Sequence, residues 1–182
     1  MTCTLYTLGH GDRDIDDLRA VLAAHGIAVV VDVRAQPASQ RHPQFNGAEL
    51  RAALEAEGLE YHWAGRALGG RRAARADSRH RALPEPAFRG YADHMETEVF
   101  IRGARQLLQL AARAPSAMLC AERAPGQCHR SLIADYLLLQ GAQVLHLVDA
   151  GAARAHLLHP AARRESAALI YDRHTTGALD LG

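Results

Sequence analysis

Lysine is missing. All 21 basic residues of the 182-residue chain are arginine, which excludes Schiff-base and lysine general-base chemistry and leaves every fixed cation able to make a forked contact with a carboxylate or phosphate. Long apolar runs are missing as well. None approaches the roughly 20 residues of a membrane-spanning helix, and Met1-Thr2-Cys3-Thr4 has neither the basic patch nor the apolar stretch of a signal peptide. No charge of either sign dominates: the formal net charge is +1, so no global field argues for nucleic acid or a membrane surface. Cysteine is scarce and odd in number, three in all. A chain of this size needs no disulfide framework, and a reducing cytoplasm is the expected compartment. A Cys120–Cys128 disulfide would depend on the geometry of the loop between them.

About half of the chain is apolar, enough for the core of one domain spanning residues 1–182. Leu5 to Leu8 reads as a short strand ending at Gly9-His10-Gly11. Asp12 or Asp14 can cap the helix that carries Ile15, Leu18, Val21 and Leu22 on one face. Ile27 to Val33 is a β-branched run of the kind found in buried parallel strands. Asn46 with Glu49 three residues later predicts a capped helix to about Glu57, and Leu59 to Trp63 a third strand. Residues 64–91 then break the pattern, with seven arginines against Asp77 and Glu85. A connection this long is commonly functional or disordered. A helix is expected from about Glu96 to Arg113, then a strand ending on Cys120, a helix from His129 to Gln140, and a strand from Val144 to Val148. Leu169-Ile170-Tyr171 reads as an edge strand or arm. The order predicts an α/β three-layer sandwich with a mainly parallel sheet and a long Arg-rich insertion after the third strand.

In such folds the site lies beyond the carboxyl ends of the strands. His10, Asp32-Val33-Arg34 and Cys120-Ala121-Glu122 all fall at predicted strand ends, so separate segments converge on one rim. Cys120 and Cys128 are candidate nucleophiles, because a thiol at a strand end or helix start can be activated by a dipole and a nearby cation; either can equally be a small buried hydrophobe. His10, His129 and Glu122 are candidate proton carriers. Arg130 and Ser131 in the first turn of a helix resemble an oxyanion cradle, although an arginine there can also brace the loop. Asp32 and Arg34 can meet substrate or pair with each other. Gly69-Gly70 suits a hinge or a close-approach turn, and with the arginines after it could close over an anionic ligand. The Cys-x7-Cys-His spacing fits none of the common short zinc knuckles, so no metal ligand and no cofactor is assigned. The leading expectation is an enzyme acting on an anionic, phosphate-bearing or nucleotide-like small molecule. Its rivals are a non-catalytic metal- or metabolite-binding module, and a nucleic-acid-binding protein using the Arg-rich loop, the last weakened by the lack of a base-stacking platform.

Seven stretches occur in order: Thr7-Leu8-Gly9-His10, Val31-Asp32-Val33-Arg34, Pro43-Gln44-Phe45-Asn46, Leu68-Gly69-Gly70, Phe88-Arg89-Gly90-Tyr91-Ala92, Leu119-Cys120-Ala121-Glu122 and Cys128-His129-Arg130-Ser131-Leu132-Ile133-Ala134. Together they resemble the bacterial and archaeal family numbered 488 among the domains of unknown function. The resemblance implies a cytoplasmic α/β domain with no settled activity, and adds Arg89 and Tyr91 to the candidate substrate-binding residues. One departure is Gly11, where that family usually has serine. A looser likeness joins the chain to rhodanese and cysteine-phosphatase folds, which also carry an early Asp-Val-Arg strand and an Arg-Ser helix start. Nine residues separate Cys120 from Arg130 here, longer than the tight cradle of those enzymes.

Overall fold

The computed structural model describes residues 3–173. Its main sheet has six strands in the order β3-β2-β4-β1-β5-β6: β1 (Thr4–Gly9), β2 (Val29–Asp32), β3 (Glu60–Trp63), β4 (Ser116–Cys120), β5 (Gln143–Leu147) and β6 (Arg154–Ala155). The first five run parallel and β6 returns antiparallel. Helices cover both faces, so the expected three-layer α/β arrangement is the observed one. The chain reads this way because β2 and β4 carry consecutive apolar residues, Val29 to Val31 and Ala117 to Cys120, with their polar members at the ends, and every residue of both is buried. A strand wrapped on both faces has no polar side to show.

Alternation along the strands sorts the core into two. Leu5, Val29, Val31, Val33, Met118, Cys120 and Val144 point to one face, under α4 (Pro86–Met95), α5 (Glu98–Arg113) and α6 (Arg130–Leu139). Leu8, Val30, Ala117, Leu119 and Leu147 point to the other, under α1 (Ile15–Ala24) and α2 (Gly47–Glu55). Asp14 caps α1 as expected, its side chain accepting from the Asp17 N–H. Asn46 precedes α2, but its side chain makes no cap; its Oδ1 accepts from the Ser39 N–H at 2.6 Å instead, so it fixes the preceding loop rather than the helix.

The stretch 64–91 holds more order than its composition suggests. It contains α3 (Gly65–Leu68) and most of α4, a helix not expected from the sequence, while the helix expected from about Glu96 to Arg113 is α5, which starts beyond the Thr97 cap. Most of its arginines are bound to the body. Arg75 pairs with Glu96 and Asp93, and Arg79 with Glu96 and Glu165. Arg72 donates to the carbonyls of Gly69 and Arg66, and Arg66 lies over the Trp63 ring. Leu169 to Tyr171 sits in β8 (Ala168–Tyr171), which pairs with β7 (Ala162–Glu165) as a separate two-stranded hairpin rather than as an edge of the main sheet.

Candidate functional site

The carboxyl ends of β1, β2 and β4 lie side by side, because β4 is paired with both of the others. The pairing continues past the strands: His10 N–H donates to the Cys120 carbonyl at 3.0 Å, Gly11 N–H to that of Ala121 at 2.8 Å, and Val33 N–H to that of Leu119 at 2.9 Å. Cys120 is thereby fixed between the ends of its two neighbours. From there residues 121–127 run over the surface to Cys128 and the start of α6.

This loop is held by Arg130, whose guanidinium is almost fully buried and donates to the carbonyls of Glu122 and Arg123. Gly9 lets the clamp close: a Cβ there would collide with the Glu122 carbonyl oxygen and come within 2.8 Å of Arg130. Gly11 adopts a left-handed backbone with φ 56° and faces the Arg123 side chain, so glycine rather than serine suits this turn.

Cys120, Cys128 and His129 come together beneath the loop. Their Sγ, Sγ and Nδ1 atoms all lie within 4.8 Å of one another, and Nδ1 is 3.7 Å from each sulfur. The other ring nitrogen of His129 is 3.1 Å from the Val33 carbonyl oxygen. A carbonyl only accepts, so Nε2 carries the proton and Nδ1 turns its lone pair to the two thiols. Gly70 packs on the same ring, where a Cβ would stand 3.0 Å from Nδ1, and the Tyr91 ring approaches it at 4.9 Å. The close approach read from Gly69-Gly70 is thus made to His129, while a Cβ on Gly69 would strike Ala35 and the Gly65 carbonyl. Short knuckle spacings concern ligands on one tight turn; these donors meet because a strand end and a helix start are packed together.

The acid–base character of the site follows from burial. Contact with the Cys128 thiol, and then burial, push the Cys120 thiol well above its ordinary range. Cys120 Sγ lies 3.3 Å from Glu122 Oε2. Partial burial of Glu122 works to raise its pKa, but hydrogen bonds from its own N–H and from both thiols hold the carboxyl below the usual value. The site therefore presents protonated sulfur beside an ionised carboxylate and a free imidazole lone pair.

The remaining predicted residues are placed around this centre, many of them already bonded. Ser131 Oγ donates to the Cys128 carbonyl at 2.9 Å, and the N–H groups of Ser131, Leu132 and Ile133 are taken by the carbonyls of Cys128 and His129. The helix start is thus largely closed on itself. Asp32 accepts from Arg34 N, Nε and Nη2 and from the Tyr61 hydroxyl, which leaves Nη1 of Arg34 facing His10 Nε2 at 3.4 Å. His10 Nδ1–H donates to the Gly11 carbonyl, and its ring stacks on Phe45. Burial, partly countered by that carbonyl and reinforced by Arg34, lowers its pKa to about 4. Tyr91 gives its hydroxyl proton to the Leu68 carbonyl. Arg89 lies half-buried on α4, and its Nε has no protein partner.

Two features escape a linear reading. Arg71, next to Gly70, holds a left-handed backbone at φ 60° and reaches Gln36 at 3.1 Å; only the preceding glycine pair hints at the turn. Deeper in the fold, Asp135 accepts from His156 Nε2 at 2.8 Å, from the His159 N–H and from the Tyr171 hydroxyl. His156 Nδ1 is 2.9 Å from His146 Nε2, and His146 Nδ1 is 2.7 Å from the Thr7 hydroxyl. Its members are scattered from residue 7 to residue 171, so no local motif marks it.

A family model, described as the domain of unknown function DUF488, matches residues 14–137. The match spans the predicted site residues except His10 at the end of β1, and stops before His146, His156 and Tyr171. No curated protein matches the chain, and no solved structure matches it.

Proposed function

Since the chain belongs to the DUF488 family, whose description names no activity, we propose from its own side chains that it is a metal-dependent enzyme whose ion is held by Cys120, Cys128 and His129. The observation that carries this reading is the His129 ring. Its Nε2–H is pinned to the Val33 carbonyl, and its Nδ1 lone pair faces two sulfurs. A backbone carbonyl on the far nitrogen is the usual way a ligating histidine is oriented. Two sulfurs and an imidazole favour zinc or ferrous iron over calcium or magnesium. Three protein ligands leave a position for water or substrate, where the ion supplies Lewis acidity.

The ligand set also explains a thiol that resists ionisation. Cys120 holds its proton while only protein surrounds it, and metal binding displaces that proton. Glu122, ionised and 3.3 Å from Cys120 Sγ, is placed to accept it and to serve as general base at the fourth position. Arg34 keeps Nη1 outside its pair with Asp32 and draws an anionic substrate to the rim. Arg130 and Ser131 shape the loop and the helix start in this reading, since Nη1 and Nη2 of Arg130 and Oγ of Ser131 are already spent on backbone carbonyls.

Metal analysis of purified protein tests the reading, together with Co²⁺ titration followed through sulfur-to-metal charge-transfer absorption. Wild type should bind one ion. Cys120→Ser, Cys128→Ser and His129→Ala should each weaken binding by at least about 100-fold, at or beyond the upper end of what the loss of a supporting residue costs. Wild type that takes up no ion, or variants that retain full occupancy, would sink the proposal.

A further inference from the structure

We propose that Cys120 and Cys128 form a reversible disulfide when the metal is absent, so that a hydroperoxide-class oxidant and the metal compete for the same two sulfurs. The competition rests on the metal reading above; disulfide formation itself does not. Both sulfurs lie within 4.8 Å of one another and of His129 Nδ1, and both cysteines are free. A disulfide needs about 2 Å between sulfurs, and a rotamer change at one cysteine moves its sulfur by roughly 3 Å. The chain between them can follow. Residues 122–124, 126 and 127 are exposed, Gly126 has open space where a Cβ would stand, and Arg130 holds the loop only at Glu122 and Arg123.

The chemistry balances with a hydroperoxide as oxidant. The Cys128 thiol, 3.7 Å from His129 Nδ1, passes its proton to that nitrogen, and its sulfur attacks the near peroxide oxygen. The O–O bond breaks and the far oxygen leaves as water or alcohol, taking up a proton. The resulting sulfenic acid is attacked by the second sulfur; the S–S bond forms and water departs with the second thiol proton. Two thiols are oxidised by two electrons and one peroxide is reduced. Bound metal occupies both sulfurs and blocks the first attack, whereas the disulfide leaves His129 as the only remaining ligand of the three.

Cys3 provides an internal control. It lies at the opposite end of β1, with its sulfur toward the Leu108 carbonyl. Folded protein freed of metal by chelation is treated with hydrogen peroxide, then alkylated and weighed intact. Wild type and Cys3→Ser should lose two alkylatable thiols and two hydrogens; Cys120→Ser and Cys128→Ser should form no internal disulfide. Prior loading with Zn²⁺ should slow the loss at least tenfold, the oxidised protein should bind no Zn²⁺, and a dithiol reductant should restore binding. Three thiols surviving in wild type, a bridge to Cys3, or Zn²⁺ taken up as well by the oxidised as by the reduced form would overturn the inference. If the disulfide forms but reduced protein takes up no Zn²⁺, competition and the metal reading both fall and the disulfide alone stands.

Discussion

Two of the histidine-centred polar clusters among the described residues differ in one respect. At the rim, His129 spends one nitrogen on the Val33 carbonyl and offers the other to two thiols. In the interior, the chain from Thr7 through His146 and His156 to Asp135 leaves nothing over. Asp135 must accept from His156 Nε2–H, so His156 Nδ1 accepts from His146 Nε2–H, and His146 Nδ1 accepts from the Thr7 hydroxyl. The Tyr171 hydroxyl and the His159 N–H complete the carboxylate. A histidine whose nitrogens both have fixed partners holds segments together. A histidine with a lone pair left toward soft donors is equipped to bind.

The interior cluster joins β1, β5, α6, the chain after β6 and β8, so the largest loss of stability should come from its anchor. Asp135→Asn keeps the shape but turns an acceptor into a donor facing His156 or Tyr171. Breaking a buried charged network in this way costs about 3 kcal/mol. Urea denaturation should register the loss, while the fraction that remains folded should take up metal as wild type does. If metal uptake falls with the folded fraction intact, the two clusters are coupled and the contrast between them fails.

How much of this was visible in the chain follows the same division. The layers were legible because Val29 to Val31 and Ala117 to Cys120 are consecutive apolar residues and α1 and α5 carry one-sided apolar faces, signals that depend only on near neighbours. Convergence on the rim was legible too, since His10, Asp32 and Cys120 each end a strand. What each residue does there was not. Arg130 reads equally as an anion ligand or as a brace for the loop from its place at a helix start, and only packing shows that it turns to the carbonyls of Glu122 and Arg123. Asp32 and Arg34 mostly satisfy each other. Cys-x7-Cys-His fits no common local knuckle, and its donors meet only through tertiary packing. Thr7 and Tyr171 are too far apart in sequence for any pattern to join them. Helix α4 was hidden because Pro84, Pro86 and Gly90 resemble loop punctuation; Pro86 in fact opens the helix, where its missing N–H costs nothing.

Acid should reach both regions, through their closed histidines. Burial lowers His146 to about 4, helped by His156 and Arg130, and lowers His10 at the rim to about 4. The unfolded chain takes up these protons near the ordinary histidine value of about 6.5, and the fold resists until about 4. Their stabilising contribution is therefore complete above about pH 6.5 and is lost as pH falls from there to about 4. Each should account for on the order of 2 kcal/mol, discounted from the full linkage value for partial solvation. Denaturation midpoints measured at several pH values in wild type, His10→Asn and His146→Gln separate the two. A flat profile in wild type over this window would mean that neither ring is held neutral by its surroundings.

The smallest change sharpens the contrast most, because it removes one proton donor and almost no volume. Thr7→Val deletes the hydroxyl that His146 Nδ1 accepts from at 2.7 Å, and Thr7 lies buried in β1. If the interior chain is saturated, the ring nitrogen is left without a donor, at a net cost of about 1 kcal/mol. The methyl groups of valine suit a parallel strand, which keeps the cost from growing. The rim should not respond, since Cys120, Cys128 and His129 share no hydrogen bond with Thr7. The measurement is thermal unfolding beside Co²⁺ affinity, in the same preparation. Unchanged or raised stability would show that His146 has a spare lone pair after all, and the interior cluster would then be as open a donor set as the one at the rim.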